Sequence, residues 1–164
     1  MNIITKKINN KIIFYDNEIG INIEELFSSN AFHTEEKNNV EWINDNKWVK
    51  KHYFRKGMMT ILNDWYIYSD LKNTRSYREF MILNYLHKYN FNTCKPLVGW
   101  VTYSGLLYKA NLVTEAIPAI TLCEFLAKIS ADNEDDSFLN KTISKYERPQ
   151  LFKEIGVKVA QMHR

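Results

Sequence analysis

The order of apolar runs along the chain predicts an α+β fold, an antiparallel sheet carrying one packed helix and joined to a helical part. Three observations carry that expectation. Short β-prone runs, separated by asparagine-, glycine- and proline-containing breaks, recur up to Val113. One uninterrupted helical segment, about Thr74 to Tyr89, falls among them. Beyond Thr114-Glu115-Ala116-Ile117-Pro118, where the last β-prone run breaks, only helical patterns remain. The division falls between residues 1–117 and residues 118–164.

Ile12 to Tyr15 is β-prone and runs into a turn at Asp16-Asn17-Glu18. Ile23 to Phe27 suits a turn or more of helix, with Asn22 as its cap. Val40-Glu41-Trp42-Ile43 reads as a strand, Asn44-Asp45-Asn46 as a hairpin turn, and Lys47 to Arg55 as the partner strand, ended by Lys56-Gly57. Met58 to Ser69 is apolar but irregular and reads as a short helix followed by a loop. In the Thr74 to Tyr89 helix, Ile82, Leu83 and Leu86 recur at helical spacing with no Gly or Pro between them. Leu97 to Tyr103, a turn at Ser104-Gly105, and Leu106 to Val113 read as an antiparallel hairpin. Thr121 to Ile129 opens with a capping-box pattern, Thr121 and Glu124. Ser130 to Asn140, with Asp132 to Asp136 inside it, reads as an exposed loop. Pro149 to His163 is a final helix with Leu151, Ile155, Val159 and Met162 on one stripe.

Composition is that of a globular chain: 45% hydrophobic, 25% charged and 14% aromatic over 164 residues. A net charge of +3 is too weak to argue for a nucleic-acid partner, although it suits an acidic substrate or an anionic membrane surface. Cys94 and Cys123 show no pairing pattern and read as thiols of a reducing compartment. No apolar run has the length of a signal core or a membrane span, which predicts a cytosolic protein or one peripheral to a cytosolic membrane face. His33, His52, His87 and His163 lack metal-ligand spacing, and Asp132 to Asp136 lacks the pattern of a calcium loop.

The chemistry concentrates in Trp48-Val49-Lys50-Lys51-His52-Tyr53 and the helix opening Thr74-Arg75-Ser76-Tyr77-Arg78-Glu79-Phe80. Strand alternation puts Lys51 on the face of Val49 and Lys50 on the other. A half-buried lysine wants an anion. Glu79 heads the helical stripe of Ile82, Leu83 and Leu86, so it offers one. A strand lysine paired with a helix glutamate is the phosphate-holding arrangement of protein-kinase-like folds. Two plainer readings stand beside it. Ser76 and Glu79 also match a capping box, and Lys50, Lys51 and His52 also match a charged edge strand that discourages aggregation.

Ordered blocks around these residues resemble the bacterial 3-deoxy-D-manno-octulosonic acid (Kdo) kinases: Lys51 to Gly57, Asp64-Trp65-Tyr66, Thr74 to Phe80, Lys95-Pro96-Leu97, Gly105 to Ala110 and Leu112 to Ile117. The resemblance runs from about Lys47 to Arg164. It implies a protein-kinase-like N-terminal lobe over 1–117 and the first helices of a C-terminal lobe over 118–164. It also implies transfer of the ATP γ-phosphate to the 4-hydroxyl of Kdo on a lipid A precursor, with Mg2+, at the cytoplasmic face of the inner membrane. Lys51 would contact the ATP phosphates, Glu79 would hold Lys51, and Thr114, Glu115 and Ile117 would line the adenine pocket. Arg75 and Arg78 flank Glu79 without an assigned role. No glycine occurs between Gly20 and Gly57, where kinases place a glycine-rich turn. The chain stops at Arg164, before the catalytic-loop His-x-Asp and the metal-binding aspartate of the family, so no catalytic or metal-binding residue is assigned and poor phosphate transfer is expected of it. The rivals are another lipopolysaccharide sugar kinase, a non-catalytic nucleotide-binding or scaffolding remnant, and a mildly basic α+β binding domain unrelated to kinases.

Overall fold

Among the described residues, six of seven strands form one antiparallel path, in the order β1-β2-β6-β7-β4-β3, and β5 adds to β7. They are β1 (Ile3–Ile8), β2 (Lys11–Asp16), β3 (Val40–Ile43), β4 (Trp48–His52), β5 (Tyr66–Ile67), β6 (Pro96–Ser104) and β7 (Leu107–Glu115). The α-helices described in full are α1 (Ile23–Ser28), α2 (Arg75–Lys88) and α3 (Arg148–Met162). The computed structural model describes residues 2–20, 22–28, 39–55, 63–117, 124 and 148–162. The chain divides into two compact units, Met1–Ile117 and Pro118–Arg164. The architecture is α+β, consistent with the kinase-like N-terminal lobe that the sequence predicts.

The turns follow from side chains that tolerate positive φ. Asn9 turns β1 into β2 at φ 53°, and Asn44, Asp45 and Asn46 turn β3 into β4 at 52°, 51° and 62°. Gly105 turns β6 into β7 at 57°. The cap expected at Asn22 forms, its side-chain oxygen accepting the Glu24 N–H at 3.2 Å.

Each face of the sheet is partly covered by a helix. On one, α2 packs against β6 and β7, and Phe80 and Leu83 join Phe14, Val101, Tyr108, Ala110 and Leu112. On the other, Ile23 and Phe27 of α1 meet Ile13, Leu97, Val98, Trp100 and Val113. Phe27 meets Trp100 edge-on at 5.1 Å.

Three differences from the sequence reading have local causes. Ile3–Ile8 is a full strand, although its lysines hide the pattern: Lys6 pairs with Glu24, and Lys7 lies 5.3 Å over the Tyr103 ring. Tyr66–Ile67, inside the stretch read as a short helix and loop, is a two-residue strand on β7. The strand reading of Lys47 to Arg55 narrows to Trp48–His52, with single backbone bonds continuing at Tyr53 and Arg55. The expected Thr121–Ile129 helix (Glu124 excepted) and the acidic loop after it lie outside the described residues, as do Met58 to Leu62. In α3, Ile155 is partly covered and Val159 is half exposed.

Gly99 sits opposite Phe14 in the register of β2 and β6. A Cβ at Gly99 would lie 2.2 Å from Cε2 of Phe14, so the missing side chain is what lets the ring lie across the strand. Gly99→Ala should therefore destabilise the protein by about 1–3 kcal/mol, the usual range for overpacking. Urea denaturation checks this, and Phe14→Leu in the same chain should recover part of the loss.

Candidate functional site

Helix α2 begins without a side-chain cap. Its N-cap is Thr74, whose Oγ1 donates to the Leu71 carbonyl at 2.6 Å. Ser76 lies inside the helix and is fully buried, its Oγ donating to the Trp100 carbonyl at 3.4 Å. The Ser76–Glu79 capping box is therefore not made, and Glu79 is available to the sheet.

Lys51 Nζ donates to both oxygens of Glu79, at 2.8 and 2.9 Å. Tyr53 donates its hydroxyl to Oε2 of the same carboxylate at 2.7 Å. Lys51 Nζ also lies 4.8 Å over the Tyr53 ring. Burial, reinforced by the Glu79 hydrogen bond, raises the Tyr53 phenol above its ordinary range, so it remains a donor. The side chains of Lys51 and Glu79 are 42% and 36% exposed. A pair this open adds at most about 1 kcal/mol to folding. An ammonium carries three donors. Two are directed to Glu79, which leaves one for a further anion.

The edge-strand reading is overturned. β4 lies between β3 and β7, and its other face is more buried than the Lys51 face. Lys50 is 3% exposed and pairs with Glu41 at 3.4 Å. His52 is buried, with Nδ1 2.9 Å from Asn111 Oδ1 and Nε2 2.9 Å from Asp64 Oδ2. Lys109 meets the same Asp64 oxygen at 2.7 Å. Burial pushes the Asp64 carboxyl up, but the hydrogen bonds from Lys109 and His52 outweigh it and hold the group below the ordinary carboxylate range.

The cross-strand register places Val40 and Leu112 beside Lys51, and Trp42 and Thr114 beside Val49. Trp42 is 53% exposed and Val40 is half exposed, so this face presents apolar side chains beside the ion pair. At the end of β7, the Glu115 N–H donates to the Lys95 carbonyl and the Ala116 N–H to the Lys47 carbonyl, each at 2.8 Å. The Glu115 carboxylate faces Lys95 at 3.9 Å, and Ile117 is half exposed.

A family model described as the lipopolysaccharide kinase (Kdo/WaaP) family matches residues 29–164. The chain belongs to that family. Among curated relatives, the Vibrio cholerae 3-deoxy-D-manno-octulosonic acid kinase is 32% identical over 115 residues, covering 69% of this chain and 42% of the relative. The Pasteurella multocida protein of the same name is 41% identical over 69 residues, covering 41% of this chain and 29% of the relative. The Haemophilus influenzae (strain PittGG) protein, also of that name, is 39% identical over 70 residues. The chain thus spans less than half the length of these relatives. No solved structure matches it.

Within this family member, the structure brings Lys51 and Glu79 together and places Thr114 and Glu115 at the end of β7 and Ile117 just beyond it, two to five residues from Leu112, which faces Lys51. Sequence reasoning overlooked Tyr53, although its even spacing from Lys51 was the available signal. It also overlooked Trp42 and Asp64, whose placement depends on strand pairing and on contacts distant in sequence.

A carboxylate held low in the folded state stabilises the fold above its unfolded pKa of about 3.9, and that stabilisation is lost as pH falls through the folded value. Asp64→Asn should therefore flatten the acid side of the stability profile in urea melts between pH 2 and 7. At neutral pH it should lower stability by about 3 kcal/mol, because Lys109 and His52 lose the buried carboxylate. A variant with the wild-type acid slope would show that Asp64 does not titrate this way.

Proposed function

We propose that the face carrying Lys51, Glu79 and Tyr53 is the nucleotide-holding part of a Kdo kinase, with ATP as phosphate donor. The observation that carries this reading is the bidentate Lys51–Glu79 pair, half exposed and leaving one ammonium donor for a phosphate. Two features support it. Val40, Trp42 and Val49 offer an apolar surface to a base on the lysine face. Three residue steps along β7 lead from Leu112 to Glu115, about 10 Å of extended chain, and that span is comparable to the reach from base to phosphates in a nucleotide. The N–H groups of Glu115 and Ala116 are taken inside the sheet. The base would therefore be read by the Glu115 carbonyl and the backbone of Ile117, with Thr114 beside Val49 on the apolar face.

The whole protein would transfer the ATP γ-phosphate to the 4-hydroxyl of Kdo on a lipid A precursor, as the family resemblance and the relatives' names suggest. Among the described residues no group of three His, Cys, Asp or Glu side chains is placed to hold a metal. Mg2+ would arrive bound to the ATP phosphates and neutralise their charge. No helix among the described residues is long and apolar enough to cross a membrane. The reading places the protein at the cytoplasmic face of the inner membrane by peripheral contact, with its lipid-linked acceptor and without a nucleic-acid partner.

Lys51→Ala should reduce the affinity for ATP, or for a non-hydrolysable analogue, by about tenfold or more, since a charge-assisted contact is lost. The melting temperature should change little, because the pair contributes little to folding. Isothermal titration alongside a thermal melt measures both. Unchanged nucleotide affinity in a folded Lys51→Ala chain would overturn the reading.

A further inference from the structure

We propose that Arg55 and Arg75 form an acid-binding subsite that takes the carboxylate of the sugar-acid acceptor. This rests on the Kdo kinase reading and adds to it a site for the acceptor.

The strand that carries Lys51 continues its backbone bonding past His52. The Tyr53 N–H donates to the Ala110 carbonyl at 3.2 Å, and the Arg55 N–H to the Asn63 carbonyl at 2.8 Å. On extended backbone, alternation puts Lys51, Tyr53 and Arg55 in one row. On α2, Arg75 lies one turn before Glu79, at i and i+4. The two rows converge on Tyr66. The Arg55 guanidinium lies 4.7 Å from the Tyr66 ring centroid and the Arg75 guanidinium 5.0 Å from it.

Two like charges gathered on one ring repel unless an anion joins them. Lys6, Lys50, Lys51 and Lys109 all meet carboxylates. Among the described residues, Arg55 and Arg75 meet none. Arg55 Nε donates to the Trp65 carbonyl at 2.7 Å, and the Arg75 backbone N–H donates to the Tyr108 hydroxyl at 3.3 Å. Tyr66 is 6% exposed, and its hydroxyl is buried without a hydrogen-bond partner. Arg75 is exposed and Arg55 half-buried, so an anion from solution can reach both guanidiniums and complete the group. The first turn of α2 contains no acidic residue, so the positive end of the helix adds to the same field.

The ligand is assigned from chemistry. Guanidinium forks match a planar carboxylate. The relatives are named for a sugar acid, and the nucleotide phosphates belong to Lys51. Arg75 lies about 6 Å from Glu79 along the helix, and Arg55 about 13 Å from Lys51 along the strand. A sugar held there by its carboxylate can present a hydroxyl toward the phosphate end of the nucleotide.

The test titrates the full 15N-labelled chain with free Kdo and follows the side-chain Nε–Hε signals of Arg55 and Arg75 by NMR. Both signals should move and saturate. The C1 methyl ester of the same sugar should move neither, and inorganic phosphate should bind more weakly than the acid. Arg55→Gln/Arg75→Gln should weaken Kdo binding about tenfold and leave ATP affinity within about twofold of wild type, whereas Lys51→Ala should do the reverse. Unmoved arginine signals, equal binding of the ester or of phosphate, or a double variant that binds Kdo like wild type would each overturn the subsite. Loss of ATP binding in the wild type with Kdo binding intact would instead overturn the nucleotide reading alone.

Discussion

How closely α2 approaches β6 and β7 decides whether Glu79 can meet Lys51 at all. The approach is set at Gly99. With no side chain there, the Phe14 ring lies across the neighbouring strand and offers its face and edges to the helix. Phe80 meets it at 5.3 Å and Tyr77 at 5.0 Å, both edge-on. Ser76, Phe80 and Leu83 are buried at i, i+4 and i+7, and Ser76 is tied to the Trp100 carbonyl. These contacts fix the rotation of the helix about its axis. Glu79, next to Phe80, is then carried about 100° round the helix from the buried stripe. There it leaves the core side and reaches β4.

The two lysines of β4 show how one strand serves opposite requirements. Lys50 points where the sheet is covered, so its charge is neutralised by Glu41, and the same face holds His52 against Asn111 and Asp64. Charges removed from water in this way are costly unless fully partnered. Lys51 points to the open face, where its partner contributes little to stability and solvent still competes. Tyr53 compensates by holding Glu79 from below with a hydroxyl that stays protonated. The carboxylate is thus positioned by a neutral donor as well as by the cation.

The parts of the fold legible in the sequence were those governed by local rules. α2 has an unbroken apolar repeat, and the β6–β7 hairpin brackets a glycine turn at Gly105, so both were readable from neighbouring residues alone. β1 was hidden because Lys6 and Lys7 mask its alternation, and their partners Glu24 and Tyr103 are distant in sequence. β5 is two residues long and exists because β7 offers an edge. At the site, the spacing of Lys51 and Glu79 suggested a pair that a cap or an edge strand could also explain, and only the ordered blocks around it favoured the pair. What decided between them was non-local: Ser76 inside the helix instead of at its start, and β4 between two other strands. The burial of Lys50 and His52 was not legible for the same reason, since it depends on Glu41, Asn111 and Asp64 coming together only after the sheet forms.

The same register that covers Lys50 also determines how the open face can be used. Lys51 stands opposite Leu112, and Val49 opposite Thr114, so the cation and the apolar patch are offset by one pleat along the strands. A ligand with a flat apolar end and an anionic end therefore has one favourable direction: its ring toward Trp42 and Thr114, its charge toward Lys51. Reversing it would put anionic groups against Val49 and Trp42 and leave the ammonium facing an apolar ring. Beyond Lys51 the row continues through Tyr53 to Arg55, moving away from the apolar end. The order of groups along β4, Val49 then Lys51, Tyr53 and Arg55, thus makes this face directional before any ligand arrives.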